Sequence, residues 1–298
     1  MNAITEKEFK LLTLLEKAGG SNITQRELAN EAGFSLGTAN KLLADLNQRG
    51  LTDKTKLTEA GFKALEPYRV KRAVLIAAGF GTRLVPITLN TPKPLVRVKG
   101  ERIIDSLLDA LQNVGIEEIY IVRGYFGEQF DQLLYKYPNI QFVENPIYNE
   151  ANNISSALVA ADLLQNAYVL ESDLLLANPD LITKYQYASN YIAFPVERTD
   201  DWFFRTKHGF IEEVGVGGTD CYRMCGISYW SAEDGKKLAQ DIADVFEMPG
   251  GRERYWDEVP LHYKKDNYRV MVRECREDDL VEIDTLKELQ ELDPSYCM

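Results

Sequence analysis

The sequence predicts an α/β fold built on one sheet, preceded by a small helical domain. Two observations carry this prediction. From residue 72 onward, apolar segments that suit strands alternate with amphipathic segments that suit helices. Residues 1–70 instead show three helical periodicities separated by glycine turns. We therefore predict two domains, residues 1–70 and residues 71–298.

The first domain begins with two helices whose starts are marked by capping boxes. The pairs Thr5-Glu8 and Thr24-Glu27 have the three-residue spacing in which the two side chains cap backbone N–H groups reciprocally. This spacing predicts helices over residues 4–18 and 24–32.

A third helix begins at Ser35, and its apolar positions fall on one face: Leu36, Ala39, Leu42, Leu43 and Leu46. Together with residues 51–58 (LTDKTKLT), the arrangement resembles a winged helix-turn-helix. The resemblance implies DNA as a partner of residues 1–70. The third helix would enter the major groove, and nearby cations would meet phosphates. The groove residues would be Ser35, Gly37, Thr38, Asn40 and Lys41, and the phosphate contacts Arg49, Lys54 and Lys56. Because so few cations are unusual for a DNA-binding face, a helical module for packing, dimerisation or sensing remains the alternative.

The second domain alternates strands and helices. The predicted strands are residues 73–78, 118–123, 140–143, 167–172, 191–196, 223–230 and 268–273. The predicted helices are residues 102–113, 127–136, 152–164, 232–246 and 285–291. The first strand carries no charge over residues 73–78, which is typical of a central strand covered on both faces. Ligands of such sheets bind at the carboxyl ends of the strands.

Composition and charge exclude several classes of protein. The chain of 298 residues is 45% hydrophobic and 27% charged, as expected of a globular protein. It has no run of about 18 apolar residues and no opening signal segment, so we expect neither a membrane span nor secretion. Its four cysteines and two histidines form no zinc-ligand pattern, which favours a reduced, cytoplasmic location.

The net charge of −12 is unevenly spread: residues 1–72 carry +3 and the remainder −15. Such an acidic body repels nucleotides, so a nucleotide has to bind through a local basic cluster and a divalent metal.

That basic cluster follows the first strand of the second domain. Gly79 and Gly81 let backbone N–H groups approach a phosphate, while Arg83 and Lys93 supply positive charge. The loop lacks the G-x-x-x-x-G-K-[ST] pattern of a P-loop, and Leu84 stands where a dinucleotide-binding motif needs its third glycine.

The segment Leu75-Ile-Ala-Ala-Gly-Phe-Gly-Thr-Arg-Leu84, followed by Pro86, Thr88 and Pro92-Lys-Pro-Leu95, resembles the signature of the nucleotidyltransferases that activate sugar phosphates and phosphocholine. The resemblance implies a Rossmann-like mixed sheet of that type. It also implies catalytic roles for Arg83, Lys93 and Asp173. The loop residues that would bind the nucleotide are Ala77, Ala78, Gly79, Gly81, Thr82 and Arg83.

Two carboxylates are expected to hold Mg²⁺. Asp173 ends an apolar strand, where Mg²⁺ can share a carboxylate with a triphosphate. The family commonly has Asp-x-Asp here, whereas this chain has Glu171-Ser172-Asp173, so only Asp173 is carried over. The resemblance gives Asp284, before the last helix, as the second ligand, with Asp257 as the rival.

Two further segments are expected to bind the base, because main-chain groups beside Gly124 and the side chains of Asn153 and Ser156 offer donors and acceptors to a pyrimidine edge. The second of them resembles the corresponding part of the bacterial phosphocholine cytidylyltransferases. Gly124 and Tyr125 form one segment, and Asn153 and Ser156 belong to the other, whose match also includes Tyr148 and Asn152. Asn residues there equally suit a helix start.

Aromatic residues are expected to bind the acceptor. A trimethylammonium group is held by ring faces and nearby carboxylates, because it has no hydrogen to donate. We expect Trp230 to be a core residue. The residues expected to bind the acceptor are Trp202, Tyr255, Trp256, Asp257 and Glu282.

These residues together imply a Mg²⁺-dependent transfer of CMP from CTP to phosphocholine, giving CDP-choline and pyrophosphate for phospholipid or cell-surface choline metabolism. One alternative is the same reaction on phosphoethanolamine, 2-aminoethylphosphonate or a sugar 1-phosphate. Another is a transcriptional regulator that senses a nucleotide or a choline metabolite.

Overall fold

The computed structural model describes residues 3–21 and 23–297. The chain divides into two compact units. The first ends at Arg69 and also includes Tyr185–Tyr187; the second comprises Val70–Lys184 and the residues from Ala188 onward. Each unit has its own hydrophobic core. In the described part of the chain, no helix is both long enough and apolar enough to cross a membrane.

The first unit is a winged helix-turn-helix. Its elements are α1 (Glu6–Lys17), α2 (Gln25–Ala32), α3 (Leu36–Gln48), β1 (Thr52–Asp53), β2 (Lys56–Leu57) and α4 (Glu59–Leu65). Both predicted capping boxes are present, at Thr5 and Thr24, and β1 and β2 pair antiparallel as the wing. The core side chains, among them Leu12, Leu28 and Leu43, come from the apolar faces that the sequence predicts.

The exposed face of α3 is less basic than its sequence suggests. Asn40 and Lys41 are exposed as expected. Arg49, expected to contact phosphate, instead donates to the carboxylates of Glu8 at 2.6 Å and Asp45 at 3.1 Å. The guanidinium is therefore already neutralised within the unit.

In its described residues, the second unit contains the remaining strands and four further α-helices. The strands are β3 (Arg72–Ile76), β4 (Arg97–Val98), β5 (Glu101–Arg102), β6 (Glu118–Arg123), β7 (Ile140–Glu144), β8 (Ala167–Glu171), β9 (Leu174–Leu176), β10 (Asn190–Lys207), β11 (Phe210–Trp230), β12 (Met271–Glu274) and β13 (Leu280–Glu282). The helices are α5 (Asp105–Asn113), α6 (Ile154–Val159), α7 (Ala232–Phe246) and α8 (Leu286–Leu292).

Among the described residues, seven strands form one mixed sheet with β3 near its centre. β3 pairs in parallel with β6 and β8, and β7 extends the sheet beyond β6. Beyond β8, β11 runs antiparallel, and β10 pairs with both β11 and β12. Ala73 and Leu75 pack into one hydrophobic core and Val74 and Ile76 into another. The predicted central strand covered on both faces is confirmed.

Several elements differ from the sequence prediction. The predicted strands 191–196 and 223–230 are parts of strands of 18 and 21 residues. Charged residues interrupt the added part of β10 and glycines interrupt the added part of β11, so neither contains a long apolar run. The predicted helix 127–136 is a 3₁₀ helix over Gly127–Tyr135. The predicted helix 152–164 is broken into α6 and a 3₁₀ turn, Ala161–Leu163. The predicted strand 268–273 is reduced to β12.

Candidate active site

The glycine loop begins where β3 ends, and its second glycine has a left-handed backbone. Gly81 has a φ of 61°, and a Cβ atom there would lie 2.9 Å from Cβ of Lys93 and 3.1 Å from Cγ2 of Thr88. A Cβ atom on Gly79 would meet nothing within 4 Å. The close approach of the loop to Lys93 therefore requires glycine at position 81 but not, on steric grounds, at position 79.

We expect Gly81→Ala to lower the free energy of unfolding by about 1–3 kcal/mol, because it combines backbone strain with overpacking against Lys93. Gly79→Ala is the matched control, and its expected change is below about 1 kcal/mol. Urea unfolding of both variants measures the difference. Equal stabilities would contradict the importance of this contact.

Lys93 lies at the centre of an ion-pair network in the cleft. Its side chain is 10% exposed, and Nζ donates to Oδ2 of Asp173 at 2.6 Å and to Oδ1 of Asp284 at 2.9 Å. Arg83, which is far more exposed, forms an ion pair with the same Oδ1 of Asp284, with Nη2 at 2.7 Å. The structure thus brings together the two cations and the two carboxylates that were singled out in the sequence.

The pairing of two short strands, β9 and β13, places Asp284 beside Asp173. Asp173 lies between β8 and β9, and β13 pairs antiparallel with β9, so that Glu282 is opposite Leu174. The backbone N–H of Ile283 donates to the carbonyl of Asp173 at 3.2 Å. Neither short strand was predicted from the sequence.

The closely spaced charges change the pKa values of Lys93 and Glu282. Burial lowers the pKa of Lys93, but the charges of Asp173 and Asp284 outweigh it, so the pKa is raised and the ammonium is retained. Burial, together with the charges of Asp173 and Asp284, raises the pKa of Glu282 to about 8. The raised pKa of Glu282 reflects the cost of placing a third negative charge beside Asp173 and Asp284.

The carboxylates fit a divalent cation. Asp173, Glu282 and Asp284 each offer an oxygen atom, and these atoms lie within 4.8 Å of one another. Oδ1 of Asp173 is buried and has no hydrogen-bond partner among the described residues. Carboxylate oxygens are the ligands that Mg²⁺ prefers. Asp257, the rival ligand, lies outside this group.

Two cavities adjoin the glycine loop. One, of about 520 Å³, is lined by Phe80, Asn145, Tyr148, Ser156 and Arg252 among others. The other, of about 240 Å³, is lined by Ala77, Arg83, Lys93, Glu171, Asp173 and Asp284 among others. Gly79, Gly81, Thr82 and Asn153 line both, and Ala78 lines the larger one. An elongated polyphosphate ligand could therefore extend from one cavity to the other along the loop.

The residues predicted to bind the base are held by protein contacts. Oδ1 of Asn153 accepts from the backbone N–H of Trp256 at 2.9 Å, and the hydroxyl of Ser156 accepts from Nδ2 of Asn145 at 3.0 Å. The hydroxyl of Tyr125 donates to the carbonyl of Thr88 at 2.9 Å. Asn153 and Ser156 line the larger cavity, whereas Tyr125 and Gly124 line neither of the two cavities.

Gly124 lies under the ring of Tyr148, and a Cβ atom at Gly124 would approach that ring to 2.6 Å. Phe80 packs against Tyr148 with ring centroids 5.4 Å apart. Sequence reasoning missed Phe80, Asn145 and Arg252 as lining residues. Phe80 could have been identified from sequence, because it lies between the two glycines of the loop. Asn145 and Arg252 lie outside the motifs recognised in the sequence.

The residues predicted to bind the acceptor separate into two groups. Trp202 and Tyr255 are partly or largely exposed, and their rings meet edge to face with centroids 5.8 Å apart. Trp256 is instead 2% exposed, because it packs against Tyr191 and Trp230. Trp230 is a core residue, as expected. The expectation that Trp256 offers a ring face to the acceptor is corrected by this packing.

Asp257 is also buried, and its carboxylate accepts a hydrogen bond from the hydroxyl of Tyr191. It lines neither cavity beside the glycine loop. The expectation that Asp257 contacts a ligand or a metal directly is therefore corrected: its side chain forms part of the wall behind the cleft.

Burial raises the pKa of Asp257 to about 7, against the opposing effect of the hydrogen bond from Tyr191. Because an unfolded Asp has a pKa of about 3.9, the folded state binds the extra proton, and stability should fall as pH rises from about 4 to 7. We expect Asp257→Asn to remove part of this fall, on the order of a few kcal/mol. Urea unfolding at pH 5 and pH 8 measures it, with the exposed Asp266→Asn as control. An unchanged pH dependence in Asp257→Asn would contradict the assignment.

Glu171 is a further residue of the cleft, and sequence reasoning passed over it in favour of Asp173. Its Oε1 accepts from Nε1 of Trp256 and from Nδ2 of Asn153, each at 3.4 Å. Burial and the charges of Asp257 and Asp173 raise the pKa of Glu171 well above its usual range.

Comparison with known proteins gives consistent similarities. A family model described as nucleotidyl transferase matches residues 72–204, and one described as winged helix-turn-helix DNA-binding matches residues 4–51. The chain is 36% identical over 228 residues to a 2-aminoethylphosphonate cytidylyltransferase from Lancefieldella rimae, covering 75% of this chain and 92% of the relative. It is 30% identical over 226 residues to a choline-phosphate cytidylyltransferase from Streptococcus pneumoniae, covering 74% and 96%. The solved CTP:phosphocholine cytidylyltransferase from Streptococcus pneumoniae matches with a TM-score of 0.69 and 31% identity, over 76% of this chain and 99% of that chain.

Proposed function

Because the chain belongs to the nucleotidyl transferase family, we propose that it transfers CMP from CTP to a small phosphate or phosphonate that carries an ammonium group. The observation that carries the proposal is the meeting of Lys93, Asp173 and Asp284 beside the glycine loop. Relatives that act on 2-aminoethylphosphonate and on choline-phosphate support CTP as the nucleotide.

The proposed reaction is a direct displacement at the α-phosphorus of CTP. An oxygen of the acceptor attacks that phosphorus, and pyrophosphate leaves. A phosphate monoester has its second pKa near 6 and is already ionised at neutral pH, so no protein base is needed. The protein contributes by positioning the reactants and by neutralising charge.

The residues of the cleft have separable roles in this proposal. Asp173 and Asp284 would hold Mg²⁺, with Glu282 close to them. When bound, Mg²⁺ supplies charge neutralisation to the phosphates. Arg83 and Lys93, which pair with the same carboxylates in the structure, would then be free to donate to phosphate oxygens. Their positions along the two cavities support nucleotide binding by Ala77, Ala78, Gly79, Gly81 and Thr82.

The proposed reaction is compatible with several acceptors, and the residues near the cleft indicate which of them we favour. The sequence resemblance favoured phosphocholine, whose trimethylammonium group needs ring faces. With Trp256 buried, Trp202 and Tyr255 are the aromatic residues of the predicted set that are accessible to a ligand. Glu171 lines the smaller cavity outside the carboxylates proposed to hold Mg²⁺, and a carboxylate suits a primary ammonium that donates hydrogen bonds. We therefore favour 2-aminoethylphosphonate or phosphoethanolamine over phosphocholine.

Pyrophosphate release tests the proposal. The full chain is incubated with CTP, Mg²⁺ and one acceptor at a time: 2-aminoethylphosphonate, phosphoethanolamine, phosphocholine or glucose 1-phosphate. The highest kcat/KM is expected for an acceptor with a primary ammonium. Turnover with glucose 1-phosphate alone, or with no acceptor, would overturn the assignment.

The first unit supports a second proposed property, DNA binding, through its winged helix-turn-helix match and the exposed Lys41, Lys54 and Lys56. Fluorescence anisotropy of the full chain with DNA from its own promoter should show an affinity that falls steeply with salt. Replacing these three lysines by alanine should weaken binding. The same change at Lys136, Lys207 and Lys287 in the second unit should not. Equal effects of the two triple variants would argue against a specific DNA-binding face. If the protein is only a sensor, it should bind DNA but release no pyrophosphate with any acceptor.

A further inference from the structure

Glu171 has a fixed position at the floor of the smaller cavity. It is the last residue of the central strand β8 and lines the cavity together with Lys93, Asn153 and Asp173. Its stem lies against Gly226, where a Cβ atom would approach Cβ and Cγ of Glu171 to 3.1 Å. Gly226 has a φ of 59°, which favours glycine there. The carboxylate is therefore presented from a rigid strand.

The carboxylate of Glu171 has no cationic partner. Its hydrogen bonds come from Nε1 of Trp256 and Nδ2 of Asn153, both neutral donors at the long distance of 3.4 Å. Within residues 3–21 and 23–297, no lysine or arginine nitrogen lies within 4 Å of it. A largely buried carboxylate gains most from a donor that is itself charged.

Glu171 also stands apart from the proposed metal ligands. The group of mutually close carboxylate oxygens comprises Asp173, Glu282 and Asp284, and Glu171 is outside it. Glu171 nevertheless lines the same cavity as Asp173 and Asp284, so its surroundings are acidic. Such surroundings attract a cation of the ligand.

Building on the proposed transfer to an ammonium-bearing acceptor, we infer that Glu171 binds the ammonium group and sets the preference for acceptors that carry one. Lys93 contacts Asp173, two residues beyond Glu171, and lines the same cavity. A short acceptor can therefore direct its phosphonate toward Lys93 and its ammonium toward Glu171. Trp256 and Asn153 act as positioning residues, because they orient Oε1 of Glu171.

The test compares 2-aminoethylphosphonate with propylphosphonate, which has a similar shape but no ammonium. The measured quantity is the ratio of kcat/KM for the two acceptors, with CTP and Mg²⁺ saturating. In the unaltered protein the ratio should favour 2-aminoethylphosphonate. In Glu171→Gln, which removes the charge and keeps the shape, the ratio should fall by about tenfold or more, since hydrogen bonds to charged groups are worth about 1.5–3 kcal/mol. The KM for CTP should change by less than about threefold, within the spread of ordinary surface substitutions.

Three further variants complete the design. Glu171→Met also removes the charge and has a side chain of similar length. It is measured in place of Glu171→Gln if Glu171→Gln does not fold. Glu171→Asp keeps the charge and should keep most of the preference. Glu247→Gln, exposed on the second unit, is the matched control and should change nothing.

The possible outcomes separate the inference from the proposed function. A ratio unchanged in both neutral variants overturns the inference while leaving the transfer reaction intact. An equal loss with both acceptors also overturns it, because Glu171 would then serve the nucleotide or the metal. Absence of turnover in the unaltered protein with CTP and every ammonium-bearing acceptor overturns the proposed function itself.

Discussion

Replacing Lys93 by alanine is expected to lower kcat by about 100-fold or more, which is the usual loss when one preorganised charge is removed from a reacting group. Lys93 is largely buried and donates to Asp173 and Asp284. In the proposed reaction the same ammonium neutralises the phosphates. Alanine removes that charge and leaves the carboxylates to repel one another, so the metal-free variant should also unfold more easily.

Pyrophosphate release measures the activity of Lys93→Ala, and thermal unfolding with and without Mg²⁺ measures its stability. Mg²⁺ should stabilise the variant more than the unaltered protein, because it replaces a missing positive charge. Lys287→Ala is the control: that side chain is 84% exposed on α8. Turnover within threefold of normal in Lys93→Ala would remove Lys93 from the mechanism.

Asp173→Asn should lower kcat by a similar factor of about 100, with a loss of Mg²⁺ affinity that Lys93→Ala does not share. Asp173 offers a buried Oδ1 that has no hydrogen-bond partner among the described residues, and its Oδ2 holds Lys93 at 2.6 Å. Asparagine keeps the shape and removes the charge. It weakens both the metal site and the ion pair.

Titration calorimetry with Mg²⁺ or Mn²⁺ separates these two effects of Asp173→Asn from a general loss of structure. The exposed Asp162→Asn is the matched control and should bind the metal normally. Undiminished metal affinity in Asp173→Asn would show that the acidic group formed with Glu282 and Asp284 does not depend on Asp173.

Much of the fold is readable from local sequence. The capping boxes at Thr5 and Thr24, the helical periodicity of residues 35–46 and the apolar run of β3 each depend on neighbours in sequence. All of them form, although β3 ends at Ile76 rather than at residue 78, and Leu36 of the predicted apolar face is exposed. The outer parts of β10 and β11 were not predicted, because charged residues and glycines interrupt the alternation of apolar and polar residues there.

The environment of Trp256 and Asp257 was not readable from sequence. Both residues occur beside acidic and aromatic neighbours that suggest a binding site. Whether their side chains face the cleft or the core depends on Tyr191 and Trp230, which come from distant strands.

Local sequence is enough to predict the glycine loop with Arg83 and Lys93, the apolar strand that precedes Asp173, and the approximate bounds of most helices. These features arise from backbone preference and periodicity over a few residues. Only the tertiary structure decided that Asp284 rather than Asp257 joins Asp173, since this depends on the pairing of β9 with β13. It alone also set Glu171 apart as an unpaired carboxylate, because burial and distance to a cation are properties of the packed chain.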